Sequence, residues 1–128
     1  MQCLPDDPRP TNNAPPRPTG EWIKTWGAIA GSNQTGETGA VVGKFSEDEA
    51  RKAALRLCAE GEAKDCKVNL VYFNQCAALV STKTRSFFQG AESKEIAIDL
   101  ATKDCNAHGS GQCSIIYSGC TDPVFRRY

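Results

Sequence analysis

The chain has 128 residues, enough for one domain with a modest core, and domains of this size often supplement that core with covalent staples. Lysine plus arginine and aspartate plus glutamate number 15 each, and the basic residues are spread along the chain, which argues against a nucleic-acid-binding protein. Seven cysteines without a Cys-x-x-Cys pair read as a disulfide framework from an oxidising compartment, not a zinc site, and no apolar run is long enough to span a membrane.

Residues 2–20, QCLPDDPRPTNNAPPRPTG, hold six of the seven prolines and almost no apolar side chains, so residues 1–20 are expected to form an extended tether. MQCLPDDPRP has neither the basic start nor the apolar run of an export leader, and the expected state is a mature form in which Met1 replaces that leader. Cys3 precedes the tether and is the odd cysteine. Three readings of it stand: a lipid anchor with the tether as spacer from the membrane, a free thiol, or a late disulfide. Gln2 departs from the small residue that normally precedes a lipidated cysteine.

Domain structure is expected from Glu21. In WIKTWGAIA, residues 22–30, alternation places Ile23, Thr25, Gly27 and Ile29 on one face of a strand and Trp22, Lys24, Trp26 and Ala28 on the other. GSNQTGETG then reads as a projecting hairpin loop, with AVVGKF as the partner strand. A helix follows from Ser46, where Ser46 and Glu49 make a capping box and Glu47, Asp48 and Glu49 oppose the helix dipole. Its apolar stripe is Ala50, Ala53, Ala54, Leu57 and Cys58, and the alanines imply close approach to a sheet. After the return AEGEAKD, CKVNLVYF alternates Val68, Leu70 and Tyr72 with Asn69, Val71 and Phe73. Both faces are largely apolar, which predicts a central strand.

The chain then repeats itself. Under a shift of 47, Ser46, Ala50, Cys58 and Cys66 fall on Ser93, Ala97, Cys105 and Cys113, while WGAIAG falls on CAALVS under a shift of 50. STKTRS is the matching turn and SFFQG the second strand. The helix from Ser93 should turn Ile96, Ala97, Leu100 and Ala101 inward, and CSIIYSGC is the last strand. The predicted fold is therefore α+β: a duplicated strand-strand-helix-strand unit, mainly antiparallel sheet with two helices, stapled by disulfides. The domain spans 21–120, with halves of about 21–75 and 76–120, and residues 121–128 form a C-terminal tail.

In both halves a cysteine at the helix end precedes, by eight positions, one at the start of the next strand. A helix returning sharply onto a sheet brings such positions within reach, so Cys58 is expected to pair with Cys66 and Cys105 with Cys113. Cys76 and Cys120 remain, and their bridge would cross-link two strands.

Trp26-Gly27-Ala28-Ile29-Ala30, these cysteines and Asn74-Gln75-Cys76-Ala77-Ala78-Leu79 resemble a family of small secreted bacterial domains catalogued as a domain of unknown function, number four-one-eight-nine. The resemblance covers about residues 22–120. It implies an exported bacterial protein and carries no activity.

Catalytic residues are not assigned. His108, the single histidine, is expected in an exposed polar loop, NAHGSGQ, between Cys105 and Cys113, and no nucleophile elbow accompanies it. Most carboxylates sit at helix ends or on solvated faces, leaving Glu37 and Asp122 as candidates for a glycosidase pair. No clustered ligand set suggests a metal, and no cofactor is implied. Trp22 and Trp26 share a strand face that is either a sugar platform or core, with Trp26 assigned to the core and Trp22 nearer the boundary. Asn74 and Gln75 are expected to satisfy backbone groups at a crossover.

The expected function is a periplasmic or envelope binding protein, most concretely an immunity-type inhibitor that neutralises a toxin from a competing bacterium. That class enters by analogy with small, cysteine-bridged, tethered periplasmic proteins. Its partner-contacting candidates are Asn33, Gln34 and Glu37 in the hairpin, Lys83 and Arg85 in the second turn, and Phe125, Arg126 and Tyr128 in the tail. The alternative is a wall-glycan-binding or glycan-hydrolysing envelope protein. The expected location is the periplasm, with membrane attachment only through a lipidated Cys3.

Overall fold

A computed structural model describes residues 17–128. Cys3 and the tether up to residue 16 lie outside the described residues.

The first half contains strands β2 (Trp26–Gly31) and β3 (Thr38–Lys44), helix α1 (Glu47–Ala59) and strand β4 (Lys67–Phe73). The second contains β5 (Cys76–Ser81), β6 (Ser86–Ala91), α2 (Lys94–His108) and β7 (Ser114–Cys120). Each half is one antiparallel three-stranded sheet, ordered β3-β2-β4 and β6-β5-β7.

Three apolar layers hold these parts together. Ala28 and Ala30 of β2 meet Ala50, Ala54 and Cys58 of α1. Ala78 and Val80 of β5, with Phe87 of β6, meet Ala97, Ala101 and Cys105 of α2. Between the sheets, Ile29 and Tyr72 pack on Ala77 and Leu79. The order is therefore helix, sheet, sheet, helix, and both faces of each sheet are covered.

Both helices begin as their sequences predict, with the Ser46 and Ser93 side chains accepting from the N–H groups of Glu49 and Ile96. Glu49 also reaches back, but to the Phe45 N–H at 2.9 Å, one residue before the cap. The inward stripes are narrower than periodicity suggests. Leu57, Ile96 and Leu100 are 41%, 42% and 42% exposed, the fully buried helix positions are all alanine or cysteine, and Leu55 and Ile98 pack partly buried beside them. The reason is close approach: a Cβ at Gly39 of β3 would run into the Ala54 carbonyl and the Cys58 backbone nitrogen. Larger side chains are displaced to the margins.

Several other expectations are corrected. The strand over residues 22–30 is broken at Lys24 and Thr25, giving β1 (Gly20–Ile23) and β2. Thr25 is held by Asn74, whose Oδ1 accepts the Thr25 N–H at 3.1 Å and whose own N–H donates to the Thr25 carbonyl. The tail is also a strand: β8 (Val124–Arg127) pairs antiparallel with β1, with Trp22 opposite Phe125. Four residues on each side and a Glu21–Arg126 ion pair of 2.9 Å hold this ribbon. β4 lies at an edge, and β2 is the central strand. β4 is apolar on two faces because a helix covers one and the other sheet the second, not because strands flank it. His108 ends α2 instead of sitting in the following loop.

The three disulfides are Cys58–Cys66, Cys76–Cys120 and Cys105–Cys113, the pairing that the repeat predicts. Cys76 and Cys120 sit directly opposite one another on β5 and β7. The structure also explains why the two repeat shifts differ by three. The first hairpin loop, closed between Ser32 and Glu37, is two residues longer than the second, closed between Thr82 and Arg85. A bulge in β3 between the partners of Trp26 and Ala28 supplies the third residue, and Gly43 within it takes φ +74°.

Candidate functional site

The site is built from the two hairpin loops. β2 and β5 are equivalent strands of facing sheets, and both loops leave the same end of the sandwich. The halves are therefore related by a rotation about a line running along the strands, and the loops face each other across it. Between them lies a cleft of about 490 Å³.

Each loop is organised by a hydroxyl. Ser32 Oγ accepts from the N–H groups of Gln34 and Thr35 at 3.2 and 3.1 Å, and Gly36 completes the turn at φ +78°. Thr82 Oγ1 accepts from the N–H groups of Thr84 and Arg85 at 3.3 and 3.1 Å. Ser32 and Thr82 are buried although their loops are not.

The first loop has an additional clamp. Asp65, just before Cys66, accepts the Ser32 hydroxyl on Oδ1 and the N–H groups of Asn33 and Gln34 on Oδ2, the latter two at 3.1 and 3.2 Å. The Ser32 hydrogen bond first, with the backbone N–H groups of Gln34 and Asn33 adding to it, holds the Asp65 carboxyl below the usual aspartate value against the opposing pull of desolvation. The repeat counterpart of Asp65 is Gln112, so this carboxylate clamp belongs to one half.

The cleft floor is Leu79 and Phe88, from the layer between the sheets. Its walls carry Ser32, Asn33, Glu37 and Thr38 from the first hairpin, with Lys83, Thr84, Arg85 and Ser86 from the second. Lys67 and Asn69 enter from β4 and Ile116 from β7. Asn69 and Ile116 are counterparts in the repeat, and each is the extra residue of a bulge where its strand slips past β2 or β5. Three cations thus face one carboxylate. No ion pair among the described residues involves Lys67, Lys83, Arg85 or Glu37. Arg85 is fixed from behind, donating to the His108 carbonyl at 3.0 Å while its guanidinium lies 5.0 Å from the Phe87 ring centroid.

Of the residues singled out in the sequence, Asn33, Glu37, Lys83 and Arg85 come together around this cleft. Gln34 sits on the same loop, with its N–H used by Ser32 and Asp65. Phe125, Arg126 and Tyr128 do not join them. They lie on or beside the β1–β8 ribbon, which connects to the opposite end of β2. Asp122 is at that far end too, its carbonyl accepting from Thr25 Oγ1 at 2.9 Å, so Glu37 and Asp122 do not converge. Trp22 and Trp26 belong to different sheets, Trp22 lying against Phe125 and Trp26 against Phe73. Asn74 satisfies backbone groups as expected, and the Gln75 carbonyl accepts from the Thr121 N–H. His108 is exposed at the end of α2, its Nδ1 3.1 Å from Asp104 Oδ1.

Asp65, Lys67, Asn69 and Ile116 were not singled out by sequence reasoning. The usable signal was positional: Asp65 and Lys67 flank a cysteine whose place the repeat fixes, and Asn69 aligns with Ile116. Among the described residues no group of three or more His, Cys, Asp or Glu side chains is arranged to hold a metal, and no helix is long and apolar enough to cross a membrane.

Fold and site together define a duplicated, disulfide-stapled α+β sandwich with one open end. The family model described as Domain of unknown function (DUF4189) matches residues 26–120, and the chain belongs to that family. No curated protein and no solved structure matches the chain. Three disulfides fit folding in an oxidising compartment.

Proposed function

We propose that this chain is an exported binding protein of the bacterial envelope that engages a protein partner through the hairpin end of the sandwich. The observation that carries the proposal is the division of labour between repeated and unrepeated parts. Residues common to both halves, the alanines, cysteines and cap serines, are consumed in packing and capping. The hairpins, where the halves differ in length and charge, converge on one open cleft. Loops on a rigid scaffold are the usual place for recognition.

Within that class the most concrete reading is an immunity-type inhibitor that blocks a toxin reaching the envelope from a neighbouring cell. Deleting the gene in its host should leave the mutant sensitive to its own parent strain in co-culture, and restoring the wild-type gene should protect it. Equal survival of mutant and parent would remove the immunity reading. The broader proposal is tested by cross-linking in the envelope, comparing wild type with Ser86→Trp, which fills the cleft from an exposed position. A partner captured equally by both is not held by this end.

A glycan-binding reading draws on a different surface. Trp22 is 69% exposed, with its ring centroid 5.1 Å from that of Phe125 on the ribbon. It predicts retention on cell-wall glycan that Trp22→Ala abolishes and Ser86→Trp leaves intact.

A further inference from the structure

The cleft differs from the rest of the molecule in charge. The whole chain carries 15 basic and 15 acidic side chains, yet Lys67, Lys83 and Arg85 line this cleft against Glu37 alone. Glu37 offsets at most one of the three charges and leaves the lining with an excess of positive charge. Its carboxylate lies against Gly61 in the turn after α1, where a Cβ would fall on it, and it pairs with none of the three cations. Arg85 is held in place by the His108 carbonyl and the Phe87 ring. Only one of its five N–H donors is used there, which leaves a fixed donor fork at the cleft wall.

The floor is apolar. Leu79 is buried beneath it, and the partly buried Phe88 and the 52% exposed Ile116 present apolar surface to the cleft. A space of about 490 Å³ has room for one or two side chains and the backbone between them. A nucleic acid would require a longer basic track than three side chains on a chain of zero net charge supply.

We infer that the cleft recognises a short acidic peptide segment of a partner protein, with carboxylates meeting Lys67, Lys83 and Arg85 and an apolar side chain resting on Phe88 and Ile116. This rests on the reading of the hairpin end as the recognition surface and adds the chemistry of what it takes.

The test uses the full chain, labelled with ¹⁵N, and a capped Glu-Leu-Glu-Glu peptide as probe. The amides of Lys67, Thr84 and Arg85 should shift on titration, while a capped Lys-Leu-Lys-Lys peptide and free glutamate leave them in place. Lys67→Glu combined with Lys83→Glu should weaken binding by about tenfold or more. Both positions are exposed, so the amide spectrum away from the cleft should stay that of the wild type and show the variant folded. Equal shifts from acidic and basic peptides, no cleft shifts with the acidic peptide, or undiminished affinity in the double variant would overturn the inference. The two levels fail separately in the envelope cross-linking experiment. A partner lost with Ser86→Trp but kept by the charge-reversed variant overturns the acidic-segment inference alone, and a partner kept by both overturns the recognition surface itself.

Discussion

Ser32 and Thr82, equivalent residues of the two hairpins, each direct a hydroxyl oxygen onto two backbone N–H groups of their own loop, but only Ser32 is in turn gripped by Asp65. One hairpin therefore depends on a carboxylate and the other does not, which makes the second an internal control for the first.

Asp65→Ala should loosen the first hairpin selectively. At neutral pH the amides of Asn33 and Gln34 should exchange faster in the variant, and those of Thr84 and Arg85 should be unchanged. The wild type should show the same selectivity on acidification. Because the folded pKa of Asp65 lies below its unfolded value, the clamp contributes its full stabilisation above the unfolded pKa near 3.8 and loses it as pH falls through the depressed folded value. Protection should thus be flat from neutral pH to about pH 5 and drop below about pH 4. A loss of protection beginning near pH 6 would assign the effect to another group.

Much of this fold was legible because the chain states it twice. The 47-residue offset fixed helix starts and cysteine partners that one copy alone would have left open among 15 pairings. What could not be read had physical causes outside local pattern. The break between β1 and β2 depends on Thr25 being held by Asn74 and Thr121, residues 49 and 96 positions away. β8 forms because β1 offers it an edge, and a four-residue strand has no periodicity to detect. The bulges at Asn69 and Ile116 reverse the side-chain alternation within β4 and β7, so Val68 and Val71 face α1 while Leu70 and Tyr72 face the other sheet. The hairpins were recognisable as loops, but their meeting at one cleft follows from the relation between the sheets.

Gly39 and Gly36 should respond to alanine for different reasons and by different amounts. A Cβ at Gly39 meets backbone atoms of Ala54 and Cys58 and lies 2.9 Å from Leu57 Cβ, so β3 and α1 must separate. The expected cost of Gly39→Ala is about 3 kcal/mol, as for an overpacked core. Gly36 has open space around it but sits at φ +78°, and Gly36→Ala should cost about 1 kcal/mol of backbone strain. Urea denaturation at constant m-value separates the two. Equal losses would mean that the helix yields to the added methyl.

Tyr72 is 2% exposed between the sheets, and its hydroxyl has no hydrogen-bond partner among the described residues. Burial first, and the neighbouring Tyr117 second, push its phenol far above the ordinary tyrosine range, so it stays protonated throughout the useful pH range. The ring itself is needed, lying so close over Gly27 that a Cβ there would come within 2.6 Å of Cζ. Tyr72→Phe removes an unsatisfied polar atom and keeps the ring, so stability should be unchanged or rise by up to about 1 kcal/mol. Tyr72→Ala should cost about 3–5 kcal/mol through the cavity it leaves. A loss of more than about 1 kcal/mol in Tyr72→Phe would mean that the hydroxyl is bonded in solution.

The three staples should not be equal. Cys58–Cys66 and Cys105–Cys113 each close a separation of 8 residues, and Cys76–Cys120 closes one of 44. On chain-entropy grounds the short bridges contribute about 2.5 kcal/mol each and the long one about 4 kcal/mol, because the longer loop removes more freedom from the unfolded chain. The long bridge also ties β5 to β7 at the end where Thr25 Oγ1 and Thr121 Oγ1 meet at 2.6 Å and Gly43 donates its N–H to Thr121. Losing it should therefore open the join between the halves, while losing either short bridge should leave that join intact and free only the turn after one helix. Paired cysteine-to-alanine variants, unfolded in urea and followed by amide exchange at Thr121 and Gly43, report both quantities. If Cys58→Ala with Cys66→Ala costs as much as Cys76→Ala with Cys120→Ala, loop closure does not set the ranking, and packing of the buried Cys58 against Ala28 and Ala54 outweighs it.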